Sequence, residues 1–439
     1  MKGFKVGLII ITMFLAIVGL SSVALAFHDG GVAYCDGCHT MHGVYSGNTS
    51  FTGKGPSLLV ATDPSSTCLL CHAGIPTGSG IPSIGGGPKV MTYPFPAAGL
   101  APANYNVGGD FAWLQKTYGS GASAELGQTR GHNVNASDFG MLQDSDFSLS
   151  PGGSFPVGSL GCNSCHDPHG KYRRVGNNQS WTVGTPTQLL TNSRPISSSG
   201  SKGLPPTSTT AVGTYRLLAG QGYLQGGVGG ILIGYPGAPL AVAPGNGSAE
   251  TSSATQTRVA YSNYNGSGVV PWGQWCGSCH TGMLATSASE HKHPVDVALN
   301  AGGEDQNYNM YISSGNMNGN VSSSFLSLVP FMEVQSNVDT LTSHTLTAYV
   351  TGPAPTDQVS CPSCHRAHAS GFKHMMRWNM EYEMLTVAGP VWQITTGAAT
   401  SVNSRTTAEA NAAYYGRTAD YFGTAGFQRS LCNKCHAQD

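Results

Sequence analysis

Cys162-Asn163-Ser164-Cys165-His166 sets two thiols three residues apart and follows them at once with a histidine. The same arrangement recurs at Cys35-Asp36-Gly37-Cys38-His39, Cys68-Leu69-Leu70-Cys71-His72, Cys276-Gly277-Ser278-Cys279-His280, Cys361-Pro362-Ser363-Cys364-His365 and Cys432-Asn433-Lys434-Cys435-His436. These six pairs use all 12 cysteines of the chain. C-x-x-C-H is the covalent attachment pattern of c-type haem. The two sulfurs form thioethers to the porphyrin edge, and the adjacent imidazole turns toward the iron. Zinc sites also combine C-x-x-C with histidine, and thiol oxidoreductases use C-x-x-C as a redox switch. One copy would leave those readings open. Six complete copies point to six covalently bound c-type haems, with His39, His72, His166, His280, His365 and His436 as proximal ligands.

The second ligand separates an electron carrier from an enzyme, because an iron closed on both faces admits no substrate. Of 15 histidines, nine lie outside the motifs: His28, His42, His132, His169, His291, His293, His344, His368 and His374. That supply lets every iron be bis-histidine. His42, His169 and His368 each sit three residues beyond a motif histidine. The chain cannot easily cross to the other face of the same haem in three residues, so this spacing predicts a ligand for a neighbouring haem. His132, His293 and His344 have no such context and read equally as surface residues or ligands. His28 lies where a chain frays, and His291 and His374 read as spares. H-E-x-x-H, P-loop, G-x-S-x-G and G-x-G-x-x-G patterns are absent, and no motif carries lysine in place of its histidine. No catalytic residue is expected.

Composition fits a chain organised by cofactors. Only 10% of the 439 residues are charged, against about 25% in ordinary domains. Sixty glycines and 25 prolines work against long helices. The expected fold is mostly loops with a few short helices and very little strand, wrapped around haems. Residues 76–109 and 190–267 read as ordered loops, while 377–387, 407–422 and 323–334 have near-helical spacing. Tyr414, Tyr415 and Tyr421 in the second of these read as core packing. The motifs are unevenly spaced, so no solenoid repeat is expected. With 21 basic and 22 acidic residues and no basic run, nucleic-acid binding has no electrostatic footprint. Lys2, Lys5, an apolar run over 6–20 and Ala24-Leu25-Ala26 form a secretory signal. Residues 1–26 are thus expected to be removed, leaving 27–439 as a single exported domain without a membrane span.

Flanking residues add a resemblance. Gly30-Gly31-Val32-Ala33, Thr40-Met41-His42, Asp167-Pro168-His169-Gly170-Lys171-Tyr172-Arg173-Arg174, Thr255-Gln256-Thr257-Arg258-Val259-Ala260-Tyr261, Arg366-Ala367-His368-Ala369-Ser370-Gly371-Phe372, Ala413-Tyr414-Tyr415-Gly416-Arg417-Thr418-Ala419-Asp420 and Ala437 after the last motif are similar to the extracellular hexahaem c-type cytochromes of Geobacter that polymerise into nanowires. The resemblance spans the mature chain and is weakest over 193–250. It implies a multihaem c-type cytochrome with stacked haems, all bis-histidine, in a head-to-tail homopolymer. It also implies that His42 ligates the fifth-motif haem of the next subunit. By position, His132, His169, His293, His344 and His368 match distal ligands of that family, and His28 matches one too.

The implied function is extracellular electron transfer to acceptors such as Fe(III) oxides, electrodes or other cells, fed by periplasmic or outer-membrane cytochromes. A non-polymeric periplasmic or surface carrier, and a haem enzyme with one open iron, are the competing readings. Arg173 and Arg174 are candidates to neutralise haem propionates.

Overall fold

The computed structural model describes residues 35–40, 55–75, 89–106, 108–168, 218–220, 222–226, 229–242, 269–284, 292–300, 302–322, 329–334, 351–387, 391–395, 405–422 and 427–436. It also gives strand backbone at 173–175, 182–183, 194–195, 201–202, 210–212, 214–215, 258–264 and 344–345. The proposed leader at 1–26 lies outside the described residues.

Helices are short, and five of them carry cysteines of the C-x-x-C-H motifs. Cys35–Cys38 forms α1, Pro64–His72 α2, Cys162–Cys165 α3, Trp272–Gly277 α4, Glu304–Met310 α5, Cys361–Cys364 α6 and Thr407–Ala413 α7. Both α1 and α6, like α3, are one turn cut from the motif itself, and α2 carries its motif at its C-terminal end. Asp63 caps α2 by accepting from Ser66 N–H at 2.7 Å, with Pro64 at the first helical position, where its missing N–H costs nothing. Thr406 and Glu409 form a capping box on α7. The motif helices pack in pairs, α2 on α3 and α4 on α6.

Of the three helical stretches expected from spacing, only the start of one forms. α7 stops at Ala413 because Tyr415 and Gly416 take the left-handed conformation, with φ of 62° and 73°. Residues 377–387 are bends ending in the strand Thr386–Val387. There Asn379 Oδ1 captures the N–H of Glu381 at 2.6 Å, a local bond that competes with the helix. Arg377 N–H is drawn to Cys364 O at 2.8 Å. Of 323–334, residues 323–328 lie outside the described residues and Phe331–Val334 is a strand.

Strands are mostly two or three residues long. Eight of them join into one sheet, in which Arg258–Tyr264 pairs antiparallel with Leu240–Val242 and parallel with Phe331–Val334. Such fragments carry no alternating pattern in sequence, which is why 190–267 reads as loop. No helix among the described residues is long and apolar enough to cross a membrane.

The apolar cluster is aromatic-rich. Tyr414 is fully buried and stacks on Trp392 with ring centroids 3.8 Å apart. Polar anchors hold the loops around it. The buried Asp110 carboxylate accepts from Thr92 N–H (2.9 Å), Asn104 Nδ2 (2.9 Å), Ala112 N–H (2.8 Å) and the Thr92 hydroxyl. Asp110→Ala leaves those donors unpaired and is expected to cost about 3–5 kcal/mol. Denaturant unfolding of the haem-loaded protein measures this, and a loss within about 0.5 kcal/mol would show that the anchor is dispensable.

Candidate haem sites

In a helical turn, residues three apart share a face, so the C-x-x-C pairs of α2, α3 and α6 set both sulfurs on one side, where the edge of a haem would bond. At the third and fifth motifs the histidine leaves the turn in extended backbone, with φ/ψ of −113°/134° at His166 and −113°/153° at His365. Its N–H bonds to the carbonyl of the first cysteine at 2.9–3.1 Å in the third, fourth, fifth and sixth motifs. Serine at the second inner position supports the turn from behind. Ser164 Oγ accepts from Gly161 N–H and Ser363 Oγ from Ser360 N–H, both at 3.0 Å.

Neighbouring motifs in sequence are neighbours in space. The side chains of Cys68 and Cys162 are hydrogen-bonded to each other, as are those of Cys276 and Cys361. Cys38 and Cys71, Cys165 and Cys279, and Cys364 and Cys432 lie close enough to interact electrostatically. The six motifs thus follow one another in space in the order of the chain. These thiols mark where thioether sulfurs of attached haem would lie. Burial pushes Cys71 and Cys279 up to about 11, and Cys165, Cys364 and Cys435 up to about 12. A zinc ligand or redox switch needs the opposite shift, which Cys162 and Cys361 show, each through the hydrogen bond to its partner thiol. Among the described residues, no three His, Cys, Asp or Glu side chains converge as a metal centre would require.

Three histidine pairs face each other across these attachment points. Ring centroids are 6.3 Å apart for His166 and His368, 6.0 Å for His132 and His280, and 6.1 Å for His293 and His436. An imidazole nitrogen sits about 2 Å from a metal that it ligates, so an iron between two rings puts their centroids roughly 6 Å apart. The spacing therefore fits one iron per pair. His368 stands opposite the third-motif histidine, not opposite His365, three residues before it.

Hydrogen bonds orient the rings. Nδ1 lies 2.8 Å from Ser57 O at His39, 2.6 Å from Ala367 O at His132, and 2.8 Å from Pro151 O at His280. It lies 2.8 Å from Pro294 O at His293 and 2.8 Å from His374 O at His365. A carbonyl only accepts, so Nδ1 carries the proton and Nε2 keeps its lone pair for a metal. Burial holds His132 down to about 4 and His368 to about 3, so both rings are neutral at pH 7.

His42 and His169 lie outside the described residues, as do His28 and His291. His344 sits on the strand His344–Thr345 opposite Val212, and only its backbone is described. His374 is exposed at φ 56° and contributes its carbonyl to His365. Sequence reading misses that role because any residue supplies the same carbonyl. Arg366 is missed as well. It follows His365, is 2% exposed, lies 3.5 Å over the Tyr415 ring and leaves Nε without a partner. Such a buried cation suits a haem propionate. Arg173 and Arg174 lie on the strand Arg173–Val175, and only their backbone is described.

No protein-family model matches the chain. It is 40% identical over 456 aligned residues to the C-type cytochrome OmcS of Geobacter sulfurreducens, covering 100% of both proteins. The chain belongs to the OmcS family of c-type cytochromes. Two solved structures are similar as well, a cryo-EM structure of OmcS nanowires and an outer membrane cytochrome S filament, both from Geobacter sulfurreducens. The TM-score is 0.74 for each, at 37% and 36% identity, covering 94% of this chain and 100% of the other. Membership of this family accounts for the loop-dominated fold and for covalently bound haem.

Proposed function

We propose that this chain is an extracellular electron conduit that polymerises head to tail into a conductive filament. The succession of motifs in space from the first to the sixth carries this reading, since six haems in that order make a continuous path. Haem supplies the reversible one-electron couple. The chain's own residues hold it by two thioethers, orient a histidine on each face, and wrap the macrocycle away from water. The distal ligands are His132, His293 and His368 at the fourth, sixth and third sites, with His42, His169 and His344 serving the other three. The mature domain is 27–439, secreted to the outer surface, taking electrons from periplasmic or outer-membrane cytochromes and passing them to Fe(III) oxides, electrodes or other cells. No catalytic turnover is assigned to it.

The filament relatives support a second copy as partner. A head-to-tail contact that does not close on itself produces an open helical polymer. With His42 donated to the fifth-motif haem of the next subunit, assembly and ligation become one event. Electron microscopy of the haem-loaded protein from the extracellular fraction is expected to show uniform thin filaments. His42→Ala is expected to leave one high-spin iron per chain and to impair polymerisation. Isolated particles from the unaltered protein would move the function to a diffusing carrier. Normal low-spin filaments from His42→Ala would overturn the shared ligand.

A further inference from the structure

Two motif helices meet at one tyrosine. Tyr235, 3% exposed, stacks on Trp275 with ring centroids 4.7 Å apart and planes 10° apart. Trp275 lies on α4, directly before Cys276 of the fourth motif. At the far end of the ring, the Tyr235 hydroxyl donates to Ser164 O at 2.7 Å, on α3 inside the third motif. The same hydroxyl is hydrogen-bonded to the side chains of Cys165 and Cys279, the second cysteines of the third and fourth motifs. A return path closes the circuit. Trp275 Nε1 donates to Ala219 O at 2.8 Å, and Ala219 N–H donates to Cys165 O at 2.8 Å. A single ring is thus fixed to the fourth-motif helix by its face and to the third-motif turn by its oxygen. Burial pushes its hydroxyl far above the ordinary tyrosine value, so it stays protonated and neutral.

We propose that Tyr235 is a positioning residue that sets the third haem against the fourth. Once haem is attached, both cysteine sulfurs are thioethers, which have no proton to donate and accept only weakly. The O–H therefore stays on Ser164 O, while the oxygen remains wedged between the two sulfurs. Each sulfur is bonded to the edge of one macrocycle, so the span across this hydroxyl fixes how closely the two edges approach. An aromatic ring with two side-chain torsions loses little conformational freedom in such a role. Electron exchange between the two haems depends on that approach, so Tyr235 acts on conduction without ligating either iron. Tyr235 also lies within 193–250, where the resemblance to the nanowire cytochromes is weakest, so the wedge belongs to the part of the chain that departs most from them. Tyr223 offers a comparison in the same stretch. Its hydroxyl donates to Asn163 O at 2.7 Å and lies 3.3 Å from His166 O, both in the third motif.

This inference rests on the reading of both motifs as bis-histidine haem sites. The test is electron paramagnetic resonance of the full haem-loaded chain. Its low-spin signals are assigned first, since His368→Ala removes that of the third site and His132→Ala that of the fourth. Tyr235→Phe keeps the ring on Trp275 and deletes the oxygen. It is expected to shift the third and fourth signals together and to leave the remaining signals in place. Tyr235→Leu gives up the stack as well, and should shift the same two signals further and lower filament conductance. Tyr223→Phe should move the third signal alone. Unmoved signals in Tyr235→Phe, a shift confined to one site, or an equal paired shift in Tyr223→Phe would each overturn the proposal. So would a lower unfolding midpoint in Tyr235→Phe with every signal in place, because that marks a purely structural role. Failure of the haem reading shows separately, as a mass of the unaltered protein that falls short of six haems or a high-spin signal at either site.

Discussion

His132→Ala is expected to open one iron and break the electron path in the middle of the chain. His132 is held at the fourth site by its ring bond to Ala367 O and its backbone bond to His368 O. It faces His280 with centroids 6.0 Å apart. Alanine removes the only ring opposed to His280 in this pair, so the fourth haem keeps one protein ligand. Absorption spectra should then show one high-spin haem per chain, and the reduced protein should bind about one equivalent of carbon monoxide. The consequence for conduction follows from position. Cys279 of the fourth motif neighbours Cys165 of the third, and Cys276 neighbours Cys361 of the fifth, so a linear path has no detour around this site. Loss of a strong nitrogen donor raises the potential of that iron, and each 59 mV changes the one-electron equilibrium tenfold. Filament conductance should therefore fall by at least tenfold, while His374→Ala, which leaves a backbone carbonyl in place, should change it little. Unaltered low-spin spectra in His132→Ala would assign the fourth iron to another ligand.

The C-x-x-C-H motifs are legible in the sequence because covalent capture of haem demands contiguous residues: two sulfurs on one turn and a histidine directly after. Their partners are not, since His166 and His368 meet through folding and no local pattern records it. The three-residue offset of His368 from His365 excludes the same haem but does not name the other. Helical spacing over 377–387 misleads because a helix is a local preference that tertiary contacts override. Here Trp378 and Leu385 are buried by an irregular path pinned at Asn379 and at Cys364 O. The sheet escapes notice for the related reason that two-residue strands carry no period to read. Ring orientation depends on carbonyls of Ser57, Pro151, Pro294, Ala367 and His374, and a carbonyl has no signature in residue identity.

Glu125→Ala is expected to destabilise the folded chain most among the changes that leave every haem ligand in place. The Glu125 carboxylate receives Arg130 Nη2 at 2.6 Å and Arg405 Nη2 at 2.8 Å, with side chains 3%, 0% and 1% exposed. Both guanidiniums also lie over the Tyr118 ring, 4.8 and 4.5 Å from its centroid. Arg130 continues the network by donating to Gly371 O at 2.5 Å and to Lys116 O at 3.0 Å, which ties it to the segment just beyond His368. Breaking a buried ion pair from one side costs about 3–5 kcal/mol, because the abandoned charge stays buried. Here one substitution abandons two cations beside each other, so the loss belongs at the top of that range. Replacing Glu125, Arg130 and Arg405 together by apolar residues should recover part of it, limited by the unpaired Gly371 and Lys116 carbonyls. Acid should mimic the substitution. Burial alone would raise the Glu125 carboxyl, but Arg405 and Arg130 outweigh it and hold it below its ordinary value of 4.5. A depressed carboxylate contributes stability that is complete above the unfolded value and is lost as pH falls from there through the folded one. Unfolding free energy should accordingly decline below about pH 4.5, and Glu125→Gln, with no proton to take up, should show a shallower decline. Equal acid slopes for the two proteins would place the acid sensitivity elsewhere.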